Sequence, residues 1–296
     1  MTFVLEFSKL TLECIETHRR FFGDNQCRIC DCTVGGTFMW RDYHNTEYAV
    51  ADGALFFKVT NPQPAFAPPR GEGAGRRAYE RIIEYCTARD MPVRLCSVSE
   101  HVLSELLKMF PESTVRTDRA WSDYLYLSDD LINLAGRRYA GQRNHINRFM
   151  REYPNWTFER INASNIADAR AFIENIADNS DNGSATSIEA NVKSLEVLSN
   201  IELYRQFVGV LCVGGRIVGL SIGETVGDTL FVHAEKADTD FHGSYPMLLN
   251  QFAKMFATDG AKHINREEDD GIEGLRTSKT SYHPIALLSK YMVELK

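Results

Sequence analysis

The 296-residue sequence lacks any apolar run approaching the roughly 18 to 20 residues that a membrane-spanning helix needs. Residues 1–22 also lack the uninterrupted apolar core of a signal peptide, because Glu6, Lys9 and Glu13 divide them. We therefore expect a cytoplasmic protein, for which peripheral contact with a membrane stays open.

Positive charge and paired metal-ligand motifs are also scarce. The net charge of -7 excludes a general nucleic-acid coat, although it leaves room for a local basic patch. The stretch Cys27-x-x-Cys30-x-Cys32 has no second CxxC pair and no His-x-His spacing, so we predict no metal site.

The chain has seven cysteines, an odd number, and no export signal. We therefore expect reduced thiols rather than a disulfide framework.

What is present describes an ordinary globular chain, with 44% hydrophobic and 25% charged residues. The second half contains three apolar runs, QFVGVLCV, RIVGLSIGETV and TLFVHAEKAD, separated by Gly214-Gly215 and Gly227-Asp228. Such turns favour a three-stranded antiparallel meander. A helix capped by Ser244 and a short strand, AKHINRE, follow.

The first half repeats this order more faintly. EYAV and ALFFKV form a predicted hairpin, PPRGEGAG is a loop, RRAYERIIEYCTARD has a helical apolar stripe, and MPVRLCSVS is the next strand. The repetition predicts two similar α/β domains, which we place at residues 1–120 and 121–296.

The loop of the first half carries Arg70, Gly73 and Gly75 in the pattern R-x-x-G-x-G. Glycines let backbone N–H groups approach a pyrophosphate, and the loop resembles the acyl-CoA loop of GNAT acyltransferases. A flexible glycine loop without a ligand is the alternative. The matching stretch of the second half, residues 240–245, lacks the arginine and the second glycine, so it offers a poorer anion cradle.

Basic residues concentrate in LAGRRYAGQRNHINRF, which holds four arginines and no acid. Arg143 with Asn147, and Asn144 with Arg148, lie one helical turn apart, so each pair has the spacing to bind an anion together. The alternative interpretation is a helix surface that contacts acidic partners.

Two segments resemble a known family. LAGRRYAGQRNHINRFMREYP and INREEDDGIEGLRTSKTSYHP are similar to the soluble relatives of the C-terminal domain of phosphatidylglycerol lysyltransferases. The resemblance implies tandem GNAT-like domains, each a mixed, mostly antiparallel sheet flanked by helices. It also implies an aminoacyl-tRNA donor, as in the membrane enzymes, whereas many soluble relatives have no assigned activity.

Candidate catalytic residues lie in the second half. The strand HINRE runs into Glu267, and the next segment carries Arg276, Lys279 and His283 at helical spacing. A carboxylate or histidine can deprotonate an attacking nucleophile, while a cation stabilises an oxyanion or a phosphate. The alternative is an ion-paired surface helix.

The third meander strand adds a further candidate base. The GNAT resemblance favours Glu235 as general base, ahead of His233 on the same strand, and Tyr282 as proton donor.

These observations support three hypotheses. The first is transfer of an aminoacyl group from tRNA, or from another phosphate-bearing donor, to an unknown acceptor by direct attack. The second is an acetyl-CoA-dependent N-acyltransferase that uses the Arg70 loop. The third is a non-catalytic RNA- or ligand-binding protein. No tightly bound cofactor is expected, and acyl-CoA or aminoacyl-tRNA enters as a cosubstrate.

Overall fold

The computed structural model describes residues 5–23, 27–179, 185–258 and 260–296. The chain forms two compact units. Unit 1 comprises Met1–Asp123, Glu268–Ile272 and Leu287–Lys296, and unit 2 comprises Tyr124–Glu267 and Glu273–Ala286.

The strands are, in chain order, β1 (Ser8–Lys9), β2 (Glu47–Ala51), β3 (Ala54–Val59), β4 (Ala65–Phe66), β5 (Arg94–Val98), β6 (Thr114–Thr117), β7 (Asp123–Leu127), β8 (Trp156–Arg160), β9 (Phe207–Val213), β10 (Arg216–Val226), β11 (Thr229–Ala237), β12 (His263–Asn265), β13 (Ala286–Leu288) and β14 (Tyr291–Glu294). The helices are α1 (Cys14–His18), α2 (Val34–Met39), α3 (Arg76–Thr87), α4 (Glu100–Met109), α5 (Ser128–Asn133), α6 (Ala140–Glu152), α7 (Ile166–Asn179), α8 (Ala185–Ser199), α9 (Ile201–Tyr204), α10 (Ser244–Phe256) and α11 (Glu273–Thr280).

Unit 1 contains a seven-stranded sheet in the order β1-β2-β3-β4-β5-β14-β6. The β2–β3 hairpin forms as predicted, with Asp52 and Gly53 both at positive φ in its turn. Helix α3 buries Tyr79, Ile82 and Cys86 from its apolar stripe in the core of this unit. Burial of that stripe holds the helix on the sheet, because the hydrophobic effect is the main favourable term.

Unit 2 contains a second seven-stranded sheet in the order β13-β7-β12-β11-β10-β9-β8. The predicted meander forms β9, β10 and β11, with Gly214, Gly215 and Gly227 at positive φ in its turns. Its core lies against α6 and α10, whose buried side chains include Phe149, Met247 and Phe252. Both sheets are mixed, mostly antiparallel and flanked by helices, so the predicted fold class is confirmed.

The two sheets share one pattern of strand directions. In each, four antiparallel strands are followed by a parallel neighbour, β4 with β5 in unit 1 and β11 with β12 in unit 2. The next position is an antiparallel strand from elsewhere in the chain, β14 in unit 1 and β7 in unit 2. The repetition predicted from the sequence is thus present in the topology.

The predicted boundary needs correction at the C-terminal end. Residues 287–296 were assigned to the second domain, yet β14 pairs with β5 and β6 in the sheet of unit 1. A periodicity argument assigns a segment to its sequence neighbours, and it contains no information on a strand that pairs with a distant sheet.

Two local predictions are also wrong. Ser244 is the first residue of α10 rather than its N-cap, and its hydroxyl donates to the Asp238 carbonyl. Cys27 and Cys32 form a disulfide, because the 3-10 turn at residues 30–32 brings their Cα atoms to 6.3 Å. The other five cysteines are free thiols. Among the helices of the described ranges, none combines the length and apolarity needed to cross a membrane.

Candidate functional site

The candidate site lies where β11 and β12 separate at the centre of the unit 2 sheet. Their parallel pairing ends with Phe231 opposite Asn265, while β11 continues to Ala237 against β10 alone. A register shift accompanies this point, since Ile222 pairs with Ala234 and Gly223 with Val232, leaving His233 as the extra residue of a bulge. The separation leaves room for side chains that follow β12 to reach those on β11.

Glu235 and Arg266 meet across this separation. Arg266 donates from Nε and Nη2 to Glu235 Oε2, at 3.0 and 2.7 Å. Their side chains are only 13% and 7% exposed. The other atom of each group, Glu235 Oε1 and Arg266 Nη1, is buried and has no hydrogen-bond partner among the described residues. The pair therefore presents one unused acceptor and one unused donor, an unusual condition for buried polar atoms.

Aromatic rings surround the guanidinium of Arg266. It lies 5.1 Å from the ring centre of Tyr282 and 6.0 Å from that of Tyr126. Burial, together with the Glu235 carboxylate and opposed by Arg266, raises the pKa of Tyr282 to about 12. The Tyr282 phenol is thus protonated at neutral pH and is able to donate a hydrogen bond.

Lys279 fixes the segment that carries Arg266. Its buried ammonium donates to the Arg266 carbonyl at 2.5 Å, and the Lys279 carbonyl accepts a hydrogen bond from Tyr126 at 2.8 Å. This lysine was predicted to bind a substrate phosphate. The structure gives it a positioning role instead, because its ammonium is directed to the protein backbone.

A second cluster, the histidine triad, consists of Glu224, His233 and Glu267. His233 is buried and donates from Nδ1 to Glu267 at 2.7 Å and from Nε2 to Glu224 at 3.0 Å. Burial lowers its pKa, but the two carboxylates outweigh burial and raise the pKa of His233 to about 10. Glu267, predicted as catalytic, is thus paired with a charged imidazolium, and its backbone lies at a positive φ of 55°.

The predicted His283 makes its contacts away from the Glu235–Arg266 pair. His283 is exposed, its Nε2 lies 3.2 Å from the Arg138 carbonyl, and its ring packs edge-on against Tyr139. Arg276 is half-buried on α11, the helix that holds Lys279. Spacing on one helix placed these side chains with Glu267, whereas the structure selects only Lys279 and Tyr282 to contact Arg266.

The predicted anion-binding residues of α6 divide into two groups. Arg143 donates from Nη1 to the carbonyls of Leu134 and Gly136, where it caps the chain at the end of α5. Arg148 is exposed and pairs with Glu152 at 2.7 Å, and Asn144 and Asn147 are exposed as well. Only the second group is accessible to a polyanion.

The Arg70 loop has a structural explanation. Arg70 donates to the Asp31 carbonyl at 2.6 Å, and its guanidinium lies over the rings of Phe22 and Phe57. A Cβ on Gly73 would lie 2.1 Å from the Asp52 carbonyl oxygen, so glycine is required there for close packing. Gly75, the N-cap of α3, is in open space. The contacts of Arg70 with Asp31, Phe22 and Phe57 thus give it a structural role in unit 1.

Sequence reasoning missed a cluster in unit 1, which we call the lysine cluster. The buried Lys290 ammonium lies 2.8 Å from carboxylate oxygens of Asp31, Asp123 and Glu268, and 3.1 Å from Cys30 Sγ. Cys30, Asp123 and Glu268 also have the donor atoms of a metal site. The ammonium contacts all three, so the protein's own cation occupies the position that a metal ion would take.

Arg266 and Glu224 were missed too. Arg266 stands inside the strand segment HINRE, next to the predicted Glu267, so a search for charged residues at strand ends would have found it. Glu224 gave no signal, because it lies in a mostly apolar strand and matches no motif.

The family model described as phosphatidylglycerol lysyltransferase, C-terminal, matches residues 26–294. The chain therefore belongs to this family, and both of the mixed, mostly antiparallel sheets flanked by helices that the resemblance implied are present.

Solved structures agree with this assignment. A conserved protein of unknown function from Bacteroides thetaiotaomicron is 33% identical, with a TM-score of 0.90 over 99% of this chain and 100% of that chain. The protein L-PGS from Bacillus licheniformis is 14% identical, with a TM-score of 0.63 over 96% of this chain and 91% of that chain. The second likeness concerns the fold alone.

A curated relative, an uncharacterized protein of Mycoplasmoides gallisepticum, is 23% identical over 59% of this chain. The match spans 56% of the length of that relative.

Proposed function

We propose that the chain is an acyltransferase that moves an aminoacyl group from aminoacyl-tRNA to a nucleophilic acceptor, at the Glu235–Arg266 pair. The observation that carries the proposal is the unused acceptor on Glu235 and the unused donor on Arg266, side by side at the separation of β11 and β12. A buried polar atom without a hydrogen-bond partner lowers the stability of the fold. A ligand that forms hydrogen bonds with both Glu235 Oε1 and Arg266 Nη1 removes this penalty.

The roles follow from the chemistry of the two atoms. The acceptor hydroxyl or amine attacks the ester carbonyl while Glu235 Oε1 takes its proton. Arg266 Nη1 and the protonated Tyr282 phenol stabilise the oxyanion that forms. The ester C–O bond then breaks, and the leaving 3′-hydroxyl of tRNA recovers the proton. The attack is direct, so no covalent enzyme intermediate is involved.

The choice of donor rests on the anion-binding surfaces. The Arg70 guanidinium is buried against protein groups, which disfavours a coenzyme A thioester at that loop. The start of α10 is also confined, since a Cβ on Gly243 would lie 2.6 Å from the His145 carbonyl oxygen. Arg137, Arg148 and Arg151 are exposed around α6 and supply positive charge for the phosphates of tRNA.

The test is a transfer assay with bulk tRNA carrying radiolabelled amino acids. Purified protein is offered phosphatidylglycerol vesicles, small amines or an acceptor protein mixture, and the label is followed from tRNA to product. We expect the wild type to transfer the label to one acceptor class near neutral pH. The Glu235→Gln variant should lose this transfer. Transfer from acetyl-CoA but not from tRNA would contradict the donor assignment.

A matched pair of variants tests the tRNA surface. Arg148→Glu and Arg76→Glu each remove an exposed arginine that pairs with a glutamate four residues later, at 2.7 and 3.2 Å. We expect the first to weaken tRNA binding and reduce its salt dependence, and the second to leave both unchanged. Binding of tRNA without any transfer, unaffected by Glu235→Gln, would favour a non-catalytic RNA-binding protein.

A further inference from the structure

A thiol and an amine lie in direct contact inside unit 1. Cys30 Sγ and Lys290 Nζ are 3.1 Å apart, and the two residues are each 6% exposed. The transfer site in unit 2 uses neither of them. A reaction between the thiol and the amine would therefore be independent of the proposed function.

Both groups are held in place from the backbone. The Cys30 amide donates to Asp123 at 2.7 Å, at the start of the turn formed by residues 30–32. The Lys290 carbonyl accepts a hydrogen bond from Thr117 at 2.9 Å, directly before β14. Little conformational entropy remains to be lost if the two side chains react, so the contact is organised in advance.

Two partly exposed carboxylates lie next to the thiol. The side chains of Asp31 and Glu268, which contact Lys290 from two sides, are 30% and 36% exposed. Cys30 Sγ lies 3.6 Å from a carboxylate oxygen of each. Cys30 Sγ also lies beside the Lys290 ammonium, so a peroxide molecule that enters between these side chains would reach a thiol already in contact with the amine.

We propose that Cys30 and Lys290 form an oxidative modification site, at which peroxide converts the thiol to a sulfenic acid that condenses with the lysine amine into a sulfur–nitrogen cross-link. In the first step Sγ bonds to one peroxide oxygen, the O–O bond breaks, and the leaving hydroxide takes the thiol proton as water. In the second step Nζ first passes one proton to a neighbouring carboxylate and then attacks Sγ, the S–O bond breaks, and a second water leaves.

The carboxylates account for the protons of the second step. The ammonium begins with three hydrogens and ends with one. One of the two lost protons completes the leaving water, and the other passes to a carboxylate that lies 2.8 Å from Nζ. Burial raises the pKa of Asp123 to about 7, so this side chain is able to hold a proton near neutral pH.

Other fates of the sulfenic acid are disfavoured. Cys27 and Cys32 are already joined to each other, so neither offers a thiol for a disulfide with Cys30. Burial, assisted by the charge of Asp31, raises the pKa of the free Cys96 to about 12, which keeps it a weakly reactive thiol. The Lys290 side chain is the amine that contacts Cys30 Sγ, at 3.1 Å.

The test is peptide mapping of the intact protein. It is treated with hydrogen peroxide, its free thiols are alkylated, and it is digested with trypsin without a reductant. We expect a cross-linked species that contains Cys30 and Lys290, is lighter than the separate peptides by two hydrogen atoms, and resists cleavage after residue 290. Dithiothreitol should remove it, because sulfenamides are reversible.

Two variants define the chemistry. Lys290→Arg keeps the positive charge but removes the amine, so the cross-link should vanish and Cys30 should react with dimedone. Cys86→Ser, which removes another buried thiol of unit 1, should leave the cross-link unchanged.

The peptide map of the wild-type protein tests the proposal even if the Lys290→Arg variant fails to fold. Full alkylation of Cys30, a disulfide to Cys96, a stable sulfenic acid beside a normally cleaved Lys290, or a bridge that retains oxygen would each overturn the proposal.

Discussion

Each unit buries a cation among carboxylates, and the two arrangements differ in how completely their hydrogen-bonding atoms are used. In unit 1, the Lys290 ammonium has three carboxylate oxygens at 2.8 Å and the Cys30 sulfur at 3.1 Å. In unit 2, Arg266 holds one oxygen of Glu235 and leaves Oε1 and Nη1 without partners among the described residues. A satisfied cluster stabilises a fold, whereas an unsatisfied one is suited to bind a ligand.

The largest expected effect tests the unsatisfied pair. Glu235→Gln removes the base and should lower the transfer rate by roughly 10²- to 10⁴-fold. The rate should be measured per folded molecule, with circular dichroism to determine the folded fraction. Glu152→Gln, a surface change of the same type, serves as the control. A loss of rate common to both variants would refute the special role of Glu235.

The next effect tests the satisfied cluster. Lys290→Met leaves buried carboxylates without their cation and should cost about 3–5 kcal/mol of unfolding free energy at pH 7. Urea denaturation measures this loss. The deficit should shrink as the pH falls, because in the wild type Lys290 outweighs burial and lowers the pKa of Asp31 and of Glu268, so these carboxylates take up protons at a higher pH in the variant than in the wild type. A deficit that grows with acidity would show that Lys290 does not balance these charges.

The histidine triad gives a smaller effect with a defined pH window. The pKa of His233 is raised from 6.5 to about 10, so its stabilisation is complete below pH 6.5 and is lost as the pH rises toward 10. Between pH 7 and 9, the wild type should lose about 1.4 kcal/mol per pH unit relative to His233→Gln. Urea unfolding at pH 7, 8 and 9 measures the difference. If the unfolding free energies of the wild type and His233→Gln changed in parallel with pH, His233 would be neutral in the folded protein.

The smallest effect separates the two groups on α6. Arg143→Ala removes the cap at the end of α5 and should lower the unfolding free energy by about 1 kcal/mol. Arg148→Ala should leave stability unchanged, because its pair with Glu152 is exposed. Thermal unfolding of both variants measures the contrast. Equal stability of the two would show that the Arg143 contacts contribute nothing to the fold.

The sequence predicted the features that depend on local patterns. The turns at Gly214-Gly215 and Gly227 and the apolar stripe of α3 gave the meander, the repeat and the fold class. Glu235 and Tyr282 followed from the family resemblance, and the structure places both in contact with Arg266, although their roles remain predictions. Features that join distant segments were beyond such reasoning. Lys290 and Cys30 are 260 positions apart, and no local period connects them.

The hydrogen-bond partners of the basic side chains were also beyond prediction from the sequence. Arg70, Arg143 and Lys279 were each interpreted as phosphate ligands, since a sequence shows a cation but not the group that neutralises it. In the structure all three donate to backbone carbonyls. Carbonyl acceptors are present at every residue, so composition gives no warning that a cation is directed toward one of them.

The position of β14 has a consequence for how the protein is made. The strand fills a gap between β5 and β6, yet residues 124–286, which include all of unit 2, are synthesised before it. A nascent chain that has reached residue 286 therefore exposes unpaired backbone on both sides of that gap, and Asp31, Asp123 and Glu268 still await Lys290. Unit 2 has all its strands at that stage apart from the last two residues of β13. We expect the second unit to fold first on the ribosome and the first unit to be completed last, reversing the usual N-terminal order.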